Sequence, residues 1–114
     1  YHKALTNFIL GVRHNLRHPR ARFNLALTYL LLDNKKRALH NLRYLLHYTP
    51  TYADAYFLLG KIYSYDDATR AEAVTNLHTY LSYAPRGEYA VHAQGLLYSL
   101  TNTQPAETTS SAHE

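Results

Sequence analysis

Residues 22–50, RFNLALTYLLLDNKKRALHNLRYLLHYTP, decide how this chain folds, because residues 56–85, YFLLGKIYSYDDATRAEAVTNLHTYLSYAP, repeat their pattern. Arg22, Leu25, Ala26 and Tyr29 recur as Tyr56, Leu59, Gly60 and Tyr63, each 34 residues further on, and Pro50 closes the first stretch as Pro85 closes the second. A fixed period of this size marks a supersecondary unit that buries its apolar face against neighbouring units. Within 35–48, Leu39, Leu42, Leu45 and Leu46 fall at three- and four-residue spacings. That spacing gathers them on one side of a helix and predicts a buried face. Pro19, Pro50 and Pro85 lack a backbone donor and disfavour helix at the residue before them, so they set unit boundaries.

The pattern resembles the tetratricopeptide repeat family, whose signature runs W-x2-L-G-x2-Y, then A-x3-F, then P. Tyr56, Leu59, Gly60, Tyr63, Ala73, Leu77 and Pro85 meet it in one unit, and Leu25, Ala26, Tyr29, Ala38, Leu42 and Pro50 in the other. Two departures stand out: Arg22 occupies an aromatic position, and Tyr63 to Ala73 is one residue longer than Tyr29 to Ala38, which places an insertion at the Asp66-Asp67 turn. Gly95 and Tyr98 fall where Gly60 and Tyr63 do, and Ala4, Phe8 and Gly11 fall where Ala38, Leu42 and Leu45 do. The resemblance therefore implies an all-α fold, a right-handed α-solenoid of antiparallel helix pairs with about two full repeats and flanking half-repeats. Its expected divisions are a second helix or cap over 2–17, repeats over 19–52 and 53–87, and the first helix of a third repeat or cap over 88–100. Because the chain opens halfway through a repeat, a piece of a longer array or an amino-terminal cap is expected. Ala26, Gly60 and Gly95 are expected to be small because a partner helix crosses close, and Tyr29, Tyr63 and Tyr98 to be core.

Outside the repeat, residues 101–114, TNTQPAETTSSAHE, hold no aliphatic residue larger than Ala and are expected to be disordered. The chain has no Cys, which excludes disulfides, thiolate metal sites and a Cys nucleophile and leaves the compartment open. No apolar run approaches the roughly 20 residues of a membrane span, and no signal-peptide core follows Tyr1, so cytoplasmic and extracytoplasmic locations both fit. Charge is lopsided. Residues 1–50 carry nine Lys/Arg against Asp33, or +8, while residues 51–114 carry three against seven acids, or −4. Such asymmetry steers acidic partners to one half, or lets copies meet head to tail.

Projection at 100° per residue places Arg20, Phe23, Leu27, Leu30 and Leu31 away from Leu25, Ala26 and Tyr29. Asp54, Phe57, Lys61, Ser64 and Tyr65 form the equivalent set, followed by Tyr89, His92, Leu96 and Ser99. The family resemblance implies that this face lines a concave groove for an extended or helical peptide. Phe23, Leu27, Phe57, Tyr65, Tyr89 and Leu96 are its expected apolar contacts, with Arg20, Asn24, Lys61 and His92 as polar ones. Arg20 and Asn24 also resemble half of the family's clamp for a terminal carboxylate, but Leu58 and Ala93 stand where the other half needs polar groups. The leading expectation is thus a non-enzymatic protein–protein scaffold. Two alternatives stay open. One is nucleic-acid association through Arg13, Arg17, Arg20, Arg22, Lys35, Lys36, Arg37 and Arg43, although no base-reading pair recurs per repeat. The other is self-assembly by stacking of half-repeats into a homo-oligomer.

Chemistry has few carriers. His14 and His18 are four apart, which leaves a zinc site incomplete, and His40 and His47 share a helix whose other faces are basic, so no metal and no cofactor is expected. No G-x-S-x-G, Walker loop or G-x-G-x-x-G occurs among four glycines. Asp66 and Asp67 fit a capping role better than an acid–base pair.

Overall fold

The computed structural model describes residues 18–102. They form α1 (Pro19–Leu31), α2 (Lys35–Tyr48), α3 (Ala53–Tyr63), α4 (Arg70–Tyr83) and α5 (Ala90–Asn102), with a 3-10 turn at Asp67–Thr69. There is no strand among the described residues, so the fold is all-α. The helix expected over 2–17, with Ala4, Phe8, Gly11, Arg13, His14 and Arg17, lies outside the described residues, as do 103–114.

Local chemistry starts and stops each helix. Pro19 opens α1, where its missing N–H costs nothing, and His18 caps it by accepting from the Ala21 N–H at 3.1 Å. After Leu32 the chain turns through Asp33 in the left-handed region, φ 61°, a conformation that Asp tolerates better than most side chains. Asn34 then caps α2 by accepting from the Arg37 N–H at 3.2 Å. Helices α2 and α4 end at Tyr48 and Tyr83, and their C-caps, Thr49 and Ala84, immediately precede Pro50 and Pro85. The longer α3–α4 connection takes a different turn: Asp66 accepts from the Ala68 N–H at 3.0 Å, and Asp67 pairs with Arg70 at 2.8 Å. Asp66 thus caps the 3-10 turn, while Thr69, which precedes α4, makes no side-chain cap.

Burial follows the repeat. Helix α1 packs on α2, α3 on α4 and α5 on α4. One core joins Phe23, Leu25, Ala26 and Tyr29 of α1 with Ala38, Leu42 and Leu45 of α2 and Ala55, Leu58, Leu59 and Ile62 of α3. A second joins Phe57 of α3 with Leu77 and Tyr80 of α4 and Ala90, Ala93 and Leu97 of α5. Helix α3 is the shared wall. Leu42 and Leu45 are buried as their spacing predicts, with Leu39 and Leu46 half-buried beside them.

Gly60 marks the closest crossing, since a Cβ there would stand 2.6 Å from Leu77 Cγ and 2.7 Å from Leu77 Cδ2. Gly95 does not repeat this. A Cβ there would meet nothing within 4 Å, and Tyr98 is 70% exposed, against 8% for Tyr29. The expectation of a close crossing at Gly95 and a core Tyr98 is therefore corrected: no described helix lies on that side of α5. A second correction concerns the tail. Thr101 and Asn102 belong to α5, their side chains donating to Leu97 O at 2.7 Å and Tyr98 O at 3.1 Å.

Candidate functional site

The expected groove does not form as projected. Phe23 lies in the first core, its ring 5.8 Å from that of Tyr52, and Phe57 lies in the second. The Phe57 ring stacks on Tyr89 at 4.5 Å and 2° from parallel, with Tyr80 at 5.7 Å and His92 at 5.2 Å. Both phenylalanines are core rather than open contacts. The physical reason is that α3 has neighbours on more than one side. The face pointing away from Gly60 is the face against which Tyr89, just before α5, and His92 of α5 pack on Phe57. Leu58 and Ala93, at the missing clamp positions, are also core, at 2% and 0% exposure.

What stays open is a cleft of about 440 Å³ between the carboxyl ends of α1 and α3, lined by Leu27, Leu30, Leu31, Asp33, Lys35, Lys61 and Tyr65. Leu31 and Tyr65 are each 56% exposed, unusually so for large apolar side chains on opposite walls of one depression. Lys35 Nζ sits 4.7 Å from the Tyr65 ring centroid, a cation over an aromatic face. Among the expected groove residues, Leu27, Lys61 and Tyr65 converge here, whereas Arg20, Asn24, Tyr89, His92 and Leu96 do not line the cleft. Asp33 was not expected to line a site. Its signal was the Asp33-Asn34 pair, a turn-forming dipeptide that carries the chain across the cleft's end. Lys35 was expected to serve the basic patch instead.

Several ionisable groups influence one another around the amino ends of α1, α3 and α5. Burial raises the Asp54 carboxyl above its ordinary range; Glu88 adds repulsion, and Arg20 opposes both. Burial likewise raises the Tyr52 phenol, with Asp54 adding to it and Arg20 opposing through charge and a hydrogen bond. Tyr89 is raised by burial first and by Glu88 second. Tyr80, at 0% exposure, is raised mainly by burial, and its hydroxyl oxygen accepts from the Tyr89 N–H at 2.9 Å. The adjoining hollow, lined by Thr51, Tyr52, Ala53 and Asp54, measures about 230 Å³, half the size of the apolar cleft.

The basic patch is also revised. Arg22 is 8% exposed, inserted between α1 and α2, where it donates to Asn41 Oδ1 at 2.8 Å and lies 3.8 Å from the Tyr44 ring centroid. Its guanidinium plane fills the place of the aromatic residue that the repeat pattern expects. Arg22 is structural, and burial lowers its pKa while Tyr44 works against that shift. Arg43 donates to the Tyr63 hydroxyl at 2.6 Å, which ties α2 to α3. Lys36 and Arg37 remain exposed and border a polar cavity of about 540 Å³ with Asn34, His40 and Asn41. Arg20 is exposed at the far end of α1, and Arg13 and Arg17 lie outside the described residues.

Among the described residues, no group of three or more His, Cys, Asp or Glu gathers as metal ligands would, and no helix is long and apolar enough to cross a membrane. No protein-family model matches the chain, and no curated protein shows significant similarity to it. Among the described residues the fold is all-α, with an open apolar cleft between the carboxyl ends of α1 and α3.

Proposed function

We propose that this chain is a tetratricopeptide-like scaffold, a right-handed solenoid of antiparallel helix pairs, which binds a peptide or partner helix without catalysing a reaction. The observation that carries this reading is the cleft itself. Leu27, Leu30, Leu31 and Tyr65 offer an apolar floor at its mouth, and Lys35 and Lys61 outnumber Asp33 around it. A ligand that fits has one or two large apolar side chains beside an acidic group, with the apolar part supplying affinity and the charge supplying register. Support for the repeat comes from the 34-residue recurrence, from the Gly60–Leu77 crossing, and from pairing of α1 with α2 and α3 with α4. The basic-surface reading has less behind it, because Arg22 is buried inside the fold and the exposed Arg43 is held by Tyr63.

Selection from a random peptide library on the immobilised chain tests the proposal. Enriched sequences carry an apolar residue next to Asp or Glu, and Leu31→Asp, which changes an exposed side chain, abolishes their capture without lowering the melting temperature. Peptides that bind the variant and the parent equally overturn it.

A further inference from the structure

The polar cavity of about 540 Å³ at the amino end of α2 is lined by Asn34, Lys36, Arg37, His40 and Asn41. Lys36 and His40, and Arg37 and Asn41, stand four residues apart, so these four fall on one side of α2, with the cap residue Asn34 at its end. What they offer a ligand is almost entirely hydrogen-bond donors. Asn34 Oδ1 already accepts from the Arg37 N–H at 3.2 Å, and Asn41 Oδ1 from Arg22 Nη1 at 2.8 Å. Both partners are N–H groups, so they fix which atom of each carboxamide is the oxygen and leave Nδ2 hydrogens on offer. Asn41 Nδ2 gives one hydrogen to Arg37 O at 2.9 Å and keeps a second. Asn41 is 5% exposed, so a ligand oxygen would satisfy a donor that bulk water reaches poorly.

Charge completes the pattern. Lys36 and Arg37 add two positive charges, and His40 a ring N–H in either protonation state. No acid lies in the first turn of α2, and the ion pair formed among the described residues joins Asp67 to Arg70. The cations therefore gather at the positive end of the helix dipole with no described carboxylate to balance them. Arg37 lies 5.9 Å from the Tyr29 ring centroid, a contact that steadies it without neutralising it. Lys35 turns instead to the Tyr65 ring and serves the apolar cleft.

We infer that this cavity binds a phosphomonoester dianion. A monoester carries close to two negative charges and three terminal oxygens, which match two cations and amide donors spread along one wall. A carboxylate brings one charge in one plane, and a phosphodiester one charge and two free oxygens, so both fit less well. The cavity is larger than a phosphate group and has room for the organic part to which it is joined. It shares no lining residue with the apolar cleft, so the inference goes beyond the peptide-binding reading and does not depend on it.

Amide-shift titration of the full chain at fixed ionic strength tests it, with glycerol phosphate as the monoester and dimethyl phosphate as the diester. Glycerol phosphate gives saturable shifts centred on Asn34, Lys36, Arg37, His40 and Asn41, and dimethyl phosphate binds at least about tenfold more weakly, as loss of a charged contact requires. Lys36→Gln and Arg37→Gln each weaken glycerol phosphate by about tenfold or more. Both side chains are exposed, so the melting temperature stays where it was. A glycine-flanked phosphoserine peptide separates two sources of the same chemistry. Tighter binding than glycerol phosphate assigns the group to a phosphorylated partner, and equal or weaker binding to a free small molecule; either upholds the site. Absence of saturable shifts, equal binding of the diester, or indifference to both substitutions overturns the inference. So does tighter binding of an oligonucleotide that lacks a terminal phosphate, which would assign this face to nucleic acid. Peptide capture at the cleft is scored separately, so either claim can fail alone.

Discussion

The rings of Phe57 and Tyr89 lie parallel, 4.5 Å apart, and this contact fastens α3 to the turn that leads into α5. It also decides a question that helical projection leaves open, namely which apolar residues of the first helices face a ligand. Phe57→Ala empties a site 3% exposed and costs about 3–5 kcal/mol, whereas Leu31→Ala at the cleft mouth costs well under 1 kcal/mol. Urea denaturation of both variants checks this. A destabilised Leu31→Ala beside an unchanged Phe57→Ala would reverse the assignment of core and cleft.

Gly60 and Gly95 occupy the same repeat position in different surroundings, so alanine at each has opposite effects. Gly60→Ala drives a methyl into Leu77 and costs about 1–3 kcal/mol. Gly95→Ala meets no neighbour and gains up to about 1 kcal/mol from helix propensity. Thermal melts show the two midpoints moving in opposite directions.

Stability falls in alkali. Burial raises the phenols of Tyr52, Tyr56, Tyr80 and Tyr89 above their ordinary value of 10.0, so between that value and the folded one the native state holds more protons than the unfolded chain. By linkage the stabilisation is complete below about pH 10 and is lost as pH rises beyond it. Tyr80→Phe strands the Tyr89 N–H, costs about 1–3 kcal/mol at neutral pH, and makes the alkaline loss shallower. Denaturation midpoints from pH 8 to 11 report both effects.

At the acid end Asp54 acts in the opposite sense to a salt-bridged carboxylate. Its raised pKa means that the charged form is disfavoured in the folded state, chiefly by burial and then by Glu88. This contribution therefore improves as pH falls from the raised folded value toward the ordinary 3.8, and is fully unfavourable above the folded value. Asp54→Asn, which mimics the neutral form, melts higher than the parent at pH 7, and the difference closes on acidification.

Much of the fold could be read from spacing. Leu42 and Leu45, Pro19, Pro50 and Pro85, and the 34-residue period locate helices, turns and the shared wall, because these features are fixed by local backbone chemistry and by one face per helix. The site was less legible because it depends on the second and third neighbours of each helix. Projecting single helices places Phe23 and Phe57 on an open face, yet their burial comes from Tyr52 and from Tyr89, the residue just before α5. Arg22 shows the converse. Its charge suggested the surface, while its alignment with Tyr56 was a sign that the position is internal, and the structure follows the alignment. Leu27, Lys61 and Tyr65 were legible because they lie near the carboxyl ends of their helices, where the neighbouring helices diverge into the cleft.

The central claim, that the cleft between α1 and α3 is where a partner binds, is tested most directly by amide chemical-shift mapping with a library-selected peptide. The account predicts that saturable shifts concentrate on Leu27, Leu30, Leu31, Lys61 and Tyr65 and vanish in Leu31→Asp. Shifts centred instead on Asn34, Lys36, Arg37 and His40, lost on adding modest salt, would contradict it and assign binding to the basic surface of α2.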